Sequence, residues 1–298
     1  MIGKQRKFTL VGLGEILWDM LPDGKQLGGA PANFAYHAQA LGGRGVVVSC
    51  VGDDPLGREI LSRLDELGLD KKYIAVDRNH PTGTVTVELD AKGRPSYIIH
   101  EDVAWDFIPS SPAVLDMASK CDAVCFGSLG QRSAVSRAAI RQFLQANGHN
   151  CLRVFDVNIR QKYYSRDIIV DMLELSNVFK LNDEELPLVA EMLSITGDET
   201  AILAGLTERF DLALIALTKG AHGSRLYSRG SSSFHPGVPV GKIADTVGAG
   251  DSFTAAITLG WLQGRQLDAI NDHANRVAGF VCSQDGATPP LPESLIEA

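Results

Sequence analysis

Short apolar runs alternate with amphipathic segments along most of the chain. Six runs have strand length, at 8–13, 46–51, 121–127, 152–157, 178–181 and 212–218. The segments 33–41 and 56–67 place apolar residues on one side of a helix. This alternation predicts an α/β fold, a doubly wound and mostly parallel central sheet with helices on both faces. We expect one domain over residues 1–298, because no linker or repeat divides the chain.

Two segments depart from this alternation. Residues 82–89 and 95–100 alternate in strand fashion around 90–94 (DAKGR), which predicts an antiparallel hairpin. Residues 17–27, with PDG at 22–24, predict a second ribbon. Ligands of open α/β sheets bind beyond the carboxyl ends of the strands, so we expect residues 17–29 and 82–102 to form a β lid there. Exposed ribbon edges also pair between subunits, which predicts a homodimer through the lid.

The amino-acid composition of the chain disfavours several classes of function. The 298 residues are 45% hydrophobic and carry a net charge of −8, with one short basic run at 4–7, so nucleic acid is not an expected partner. The five cysteines lack CxxC or Cys/His spacing, and we interpret them as buried thiols. No apolar run has the length of a signal or membrane segment. We therefore expect a cytoplasmic protein with no membrane partner.

The most informative motif is DTVGAGD at 245–251, which directly precedes the apolar helical segment 252–261. Gly248, Ala249 and Gly250 allow an anion to approach the backbone amides at the positive end of the helix dipole. Asp251 is placed to accept a proton from a hydroxyl group. The motif is not a Walker P-loop, because no lysine follows the glycines. On its own it fits phosphoryl transfer and an aspartate-capped turn about equally.

Six segments in order resemble the motifs of the ribokinase-like carbohydrate kinases of the phosphofructokinase B type, most closely the fructokinases. They are GGAPAN at 28–33, VGDDPLG at 51–57, DVNIR at 156–160, NDEE at 182–185, TKG at 218–220 and DTVGAGD at 245–251. The resemblance covers nearly the whole chain. It implies an enzyme that transfers the γ-phosphoryl group of Mg·ATP to a primary hydroxyl of a sugar.

The resemblance implies the following catalytic roles. Asp251 would be the base that deprotonates the acceptor hydroxyl, and the amides of Gly248, Ala249 and Gly250 would form the anion hole. Arg160 would reach the transferred phosphate or the substrate. The residue type alone leaves a structural ion pair open for Arg160.

On the nucleotide side, the resemblance places two sets of residues. The loop containing Thr218, Gly220 and Gly223 would meet the adenine and ribose, with Asn275 closing the other side. Asn182 and Glu185 would organise Mg²⁺ through water, since Mg²⁺ dehydrates reluctantly. Without the resemblance, these residues fit a strand-end turn, a surface amide and a helix cap.

The sugar is expected around Asp19, Gly28, Gly29 and Asn33. The paired glycines permit close backbone approach, and Asn33 can both donate to and accept from a hydroxyl group. Asp19 can accept from adjacent hydroxyls, although on its own a turn carboxylate before Pro22 is the favoured explanation. GGAPAN at 28–33 resembles the fructokinase motif most closely, which favours fructose and its O6 as acceptor.

The lid cations argue weakly against a phosphorylated acceptor, since they are few: Lys25, Lys92 and Arg94. Two alternatives stay open, namely a kinase for ribose or 2-keto-3-deoxygluconate, and a catalytically silent sugar- or nucleoside-binding protein of the same fold. A dinucleotide-dependent dehydrogenase is disfavoured, because Leu17 stands where G-x-G-x-x-G needs its third glycine.

Many family members also bind a monovalent cation such as K⁺ beside the anion hole. The matching positions are Asp245, Val247, Val281, Gln284 and Gly286. The chain departs from the ribokinase pattern at Gln284, where arginine is expected, and at Pro290, where serine is expected.

Overall fold

The computed structural model describes residues 7–21, 24–89 and 95–296. The expected turn at 90–94, with Lys92 and Arg94, lies outside the described residues, as do residues 22–23 of the other expected turn and residues 4–6 of the basic run. No helix in the described ranges is both long and apolar enough to cross a membrane.

The described ranges contain thirteen strands and ten α-helices. The strands are β1 (Thr9–Leu13), β2 (Leu17–Leu21), β3 (Gly24–Gly28), β4 (Arg44–Gly52), β5 (Ile74–Asp77), β6 (Gly83–Leu89), β7 (Pro95–Ile99), β8 (Ala123–Phe126), β9 (Leu152–Asp156), β10 (Val178–Asn182), β11 (Leu214–Thr218), β12 (Ser224–Ser228) and β13 (Ser231–His235). The helices are α1 (Ala30–Ala40), α2 (Pro55–Glu66), α3 (Pro112–Lys120), α4 (Ala134–Ala146), α5 (Arg166–Glu174), α6 (Glu185–Leu193), α7 (Glu199–Phe210), α8 (Ala249–Leu262), α9 (Leu267–Cys282) and α10 (Glu293–Ile296).

Nine strands form one large sheet in the order β13-β12-β11-β10-β9-β8-β1-β4-β5. All its pairings from β11 to β5 are parallel, whereas the two pairings at one edge, β11 with β12 and β12 with β13, are antiparallel. The six strands expected from the sequence are the central ones, since a strand buried on both faces is apolar throughout. The α/β fold class is thus confirmed. The edge strands β5, β12 and β13 were not anticipated.

Helices cover both faces of this sheet, and alternate strand residues reach opposite faces. Leu10 packs into the core beneath α1, α8 and α9, whereas its neighbour Val11 packs into the core beneath α3 to α7. On that second face the rings of Phe126, Phe155 and Phe179 stack at centroid distances of 5.6 Å. The strands are therefore held on both sides, and their carboxyl ends have fixed positions.

The two irregular ribbons lie in a separate four-stranded sheet, in the order β3-β2-β6-β7. Each ribbon is antiparallel, and β2 pairs with β6 in parallel. A small apolar cluster that includes Leu17, Val85, Ile99 and Trp105 joins this sheet to Leu129 of the main body. We refer to it as the lid sheet, although its closing over a ligand remains a prediction.

Candidate active site

The first turn of α8 is held in place by a glycine. Gly248 caps the helix with φ +79°, in the left-handed region, and a Cβ there would lie 2.8 Å from the Cα of Ala287. Helix α8 begins at Ala249, so Gly250 and Asp251 both lie in its first turn. The amide of Ala249 makes one long bond, of 3.4 Å, to the carbonyl of Thr246. The turn thus has the geometry of an anion site.

Asp251 is half-buried and bound from the opposite helix. Asn33 Nδ2 donates to Asp251 Oδ2 at 2.8 Å. Helix α1 begins at Ala30, three residues earlier than expected, because Gly29 takes φ +111° and Pro31 suits a first turn. Asn33 therefore lies in the first turn of α1 and faces α8. Burial, followed by the charge of Asp156, raises the pKa of Asp251 to about 6, against the lowering effect of Asn33.

A buried ion pair lies beneath this turn. Lys180 Nζ is 3.1 Å from Asp156 Oδ1, and both side chains are less than a tenth exposed. Thr254 Oγ1 donates to Asp156 Oδ2 at 3.0 Å. A Cβ built on Gly250 would lie 3.3 Å from Lys180 Nζ, so the ammonium group lies directly under the glycine turn. Burial disfavours the charged amine, but Asp156 and Glu185 outweigh it and raise the pKa of Lys180.

A third acid, Glu15, also belongs to the site and was not anticipated from the sequence. It follows β1 and is 3% exposed. Burial raises the pKa of Glu15 to about 7, with a further contribution from Asp251, while Arg160 and the amide of Ala30 lower it. The sequence did carry a signal for each of these residues. Glu15 is a charged residue just beyond a buried strand, and Lys180 and Asp156 are charged residues inside apolar strands.

One of the expected sugar-binding residues, Asp19, lies within electrostatic range of Arg160. Asp19 is half-buried, and a Cβ on Gly28 would lie 3.2 Å from its Cγ, so glycine leaves room for the carboxylate. Burial raises the pKa of Asp19 to about 6, with Arg160 opposing and Asp245 reinforcing the shift. Arg160 is exposed and donates to the carbonyl of Ile159 at 3.3 Å.

Arg160 makes no ion pair within 4.0 Å in the described part of the chain. Its charge nevertheless lowers the pKa of Glu15, Asp19 and Asp251. A structural ion pair with a described residue thus does not account for it. Its guanidinium group is available to a ligand and lies within electrostatic range of three acids.

Asn182 and Glu185 cap α6 reciprocally. Asn182 Oδ1 accepts from the amides of Glu184 and Glu185, and Glu185 Oε2 accepts from the amide of Asn182 at 2.8 Å. Glu185 Oε1 accepts from the amide of Ile159 at 2.8 Å. No group of three or more acids, histidines or cysteines with metal-binding geometry occurs among the described residues. The side-chain oxygens of Asn182 and Glu185 suit an Mg²⁺ ion that is held through water and phosphate oxygens, and they do not form a closed metal cage.

The expected nucleotide loop follows β11. Gly220 begins a short 3₁₀ turn with φ +53°, and Gly223 follows that turn with φ +81°. Thr218 Oγ1 donates to the carbonyl of Leu181 at 3.4 Å. Asn275 is buried, so the surface-amide interpretation is wrong. Its Nδ2 donates to Ser224 Oγ at 2.7 Å. Asn275 therefore supports the loop from behind.

The candidate cation residues lie close together at the end of α9. Asp245 Oδ1 accepts from the amide of Val247 at 3.0 Å, and the amide of Asp245 donates to the carbonyl of Cys282 at 3.4 Å. The carbonyl of Val281 accepts from the amide of Gln284, whose side chain donates to Ser283. Gly286 has φ +77°. Cation binding by these five residues remains a prediction.

Comparison with known proteins decides the family. The model of the pfkB family of carbohydrate kinases matches residues 23–294. The chain belongs to this family. It is 33% identical over 261 residues to a fructokinase of Klebsiella pneumoniae, covering 83% of this chain and 82% of the relative. This pfkB-family protein is thus an ATP-dependent carbohydrate kinase.

Solved structures agree with the family assignment. The fructokinase of Vibrio cholerae O395 in its fructose, ADP and calcium ion bound form is similar with a TM-score of 0.79 and 27% identity, covering 98% of each chain. A sugar kinase of Pyrococcus horikoshii in complex with ATP is similar with a TM-score of 0.79 and 26% identity, covering 98% of this chain and 97% of that one.

Proposed function

We propose that this pfkB-family kinase transfers the γ-phosphoryl group of Mg·ATP to O6 of fructose. One observation carries the proposal. A carboxylate, Asp251, and the amides that can hold an anion lie on the same turn of α8, and Asn33 holds that carboxylate in a fixed orientation at 2.8 Å. A base and an anion hole at this spacing fit the two ends of one phosphoryl transfer.

Each residue of the site has a distinct role in the proposed reaction. Asp251, with a pKa of about 6, is mostly ionised at neutral pH and accepts the proton of the acceptor hydroxyl. Asn33 occupies Oδ2, which leaves Oδ1 for that hydroxyl. The first-turn amides and the charge of Lys180 beneath them stabilise the transferring phosphoryl group. Mg²⁺, bound with ATP near Asn182 and Glu185, would neutralise charge on the phosphates.

The charges around the acceptor position favour a neutral sugar. Three acids, Glu15, Asp19 and Asp251, are all within electrostatic range of Arg160, which has no ion-pair partner among the described residues. Lys25, the lid cation in the described ranges, is paired with Glu59 at 2.6 Å. An acceptor with its own carboxylate or phosphate would meet net repulsion. The names of the relatives, and the fructose held by the Vibrio cholerae enzyme, support fructose among neutral sugars.

The acceptor can be tested by ADP release from Mg·ATP with fructose, ribose, 2-keto-3-deoxygluconate and adenosine. We expect kcat/KM for fructose to exceed the others by at least about tenfold, as suits acceptors that differ in charge or in hydrogen-bonding groups. NMR of the product should place the phosphate on O6. If a sugar binds but none is phosphorylated, the silent binding protein is the correct alternative.

The activity should depend on pH through Asp251. We expect kcat/KM to fall as the pH drops through about 6, because the protonated carboxyl cannot act as base. The hydrogen bond from Asn33 favours the charged form, so Asn33→Leu should move this acid limb to higher pH. Profiles of kcat/KM from about pH 5 to 8 measure both effects.

Glu15 and His37 provide the controls for this profile. Glu15 has a pKa of about 7, so Glu15→Gln should remove any contribution from that carboxyl and leave the limb near 6. His37 is fully buried, and burial lowers its pKa to about 4, so it stays neutral across this range. Loss of the limb in Glu15→Gln would identify Glu15, and not Asp251, as the titrating group.

A further inference from the structure

The loop at residues 158–164, which follows β9, touches both sides of the site; we call it the β9 loop. On the nucleotide side, its Ile159 amide donates to Glu185 Oε1 at 2.8 Å. On the lid side, Gln161 Nε2 donates to the carbonyl of Tyr97 in β7. Arg160 stands between these two anchors.

A second set of contacts binds the β9 loop to the lid sheet. Tyr163 Oη lies 2.8 Å from Glu101 Oε1 and 3.2 Å from the carbonyl oxygen of Ile99, and these two acceptors share its one proton. Lys162 Nζ lies 3.0 Å from the same carboxylate oxygen. Gln161 and Tyr163 thus bind main-chain carbonyls of β7, and those bonds depend on where the strand lies.

The backbone of the β9 loop is constrained on both sides of Arg160. Asn158 and Gln161 have φ of +41° and +47°, in the left-handed region that residues other than glycine rarely adopt. Such conformations persist only where surrounding contacts hold them. A cleft of about 480 Å³ lies between Tyr163 and the start of α4, and the Arg132 guanidinium carbon stands 4.9 Å from the centroid of the Tyr163 ring, so on that side both the lid and Arg132 support the loop.

We propose that Gln161 is a positioning residue that couples the docking of β7 to the placement of Arg160 among the site's acids. Gln161 is exposed, and its one side-chain bond to a described residue goes to the lid. Its effect on catalysis must therefore pass through its neighbour. With β7 docked, Arg160 faces the acceptor and the phosphoryl group. The inference rests on the role proposed above for Arg160 toward substrate.

A double-mutant cycle of Gln161→Ala and Arg160→Ala tests this coupling. We expect Arg160→Ala to lower kcat/KM for the sugar about 100-fold and Gln161→Ala about tenfold, since misplaced groups lose much of their effect. The double variant should match Arg160→Ala within about twofold, because one residue acts through the other. ATP affinity should stay unchanged in Gln161→Ala, because Gln161 contacts the lid and not the expected nucleotide loop.

Two further variants separate positioning from stability. Gln161→Gly relieves the left-handed backbone, so it should keep or raise the melting temperature yet lose activity like Gln161→Ala. Gln161→Lys keeps a donor for the Tyr97 carbonyl and should recover most of the activity. Gln39→Ala removes a comparable bond, to the carbonyl of Gly68 at 2.8 Å, and should change nothing.

The possible failures can be told apart. Additive losses in the double variant, with Arg160→Ala impaired, would overturn the coupling and leave the proposed kinase mechanism intact. Full activity in Arg160→Ala would overturn both the role of Arg160 and the coupling. Full activity in Gln161→Gly would show that the lid bond does not position the arginine.

Discussion

Asp251→Asn should lower kcat by about 10²–10⁴-fold, the range that a positioned general base contributes. The loss should come from the missing proton acceptor and not from a change in packing. Asparagine has nearly the same shape, and its side-chain oxygen can still accept from Asn33, which now donates at 2.8 Å. The substitution therefore removes the proton acceptor and leaves the packing of α1 against α8. Steady-state kinetics with the best sugar acceptor measures the loss.

Binding measurements give this prediction its control. The Kd for Mg·ATP should change less than about twofold, because the base is needed for the chemical step and not for docking. Asp268 lies in the first turn of α9, as Asp251 does in α8, but it is exposed. Asp268→Asn should keep full activity. An active Asp251→Asn enzyme would show that another group takes the proton.

The sequence was sufficient to predict those elements whose physical pattern lies within one short segment. Parallel strands covered on both faces need apolar side chains throughout, so the six central strands stood out. The edge strand β13, with the sequence SSSFH, has no such requirement and left no apolar run. The glycine turn before α8 was likewise predictable from the sequence, because Gly248 and Asp251 are three residues apart.

The rest of the site depends on contacts between distant parts of the chain. Asn33 and Asp251 are 218 residues apart, and Thr254 reaches Asp156 across 98. Nothing near Asn33 in the sequence indicates that its amide binds Asp251. The surface-amide alternative for Asn275 likewise failed, because its amide is buried and donates to Ser224, 51 residues away. Spacing in the chain predicts helix caps and turns, but these partners are set by the packing of α1, α8 and α9 on the sheet.

Lys180→Met should destabilise the protein strongly. It leaves Asp156 buried without its counter-charge, which typically costs about 3–5 kcal/mol in the free energy of unfolding. Urea unfolding at neutral pH measures the loss. The double variant Lys180→Met/Asp156→Asn removes both charges and keeps an acceptor for Thr254 Oγ1, so it should regain most of that stability.

Activity should not return with stability in the double variant. Lys180 Nζ lies directly beneath Gly250, and its charge acts on an anion held by the first turn of α8. With that charge gone, we expect kcat to stay at least about tenfold below the wild-type value, by comparison with the loss of a single anion-hole donor. Asp156→Asn alone should be unstable as well, because it leaves an unpaired buried ammonium group. A stable double variant with full kcat would make the ion pair purely structural, whereas a stable but slow one would make Lys180 part of the electrostatic field that drives phosphoryl transfer.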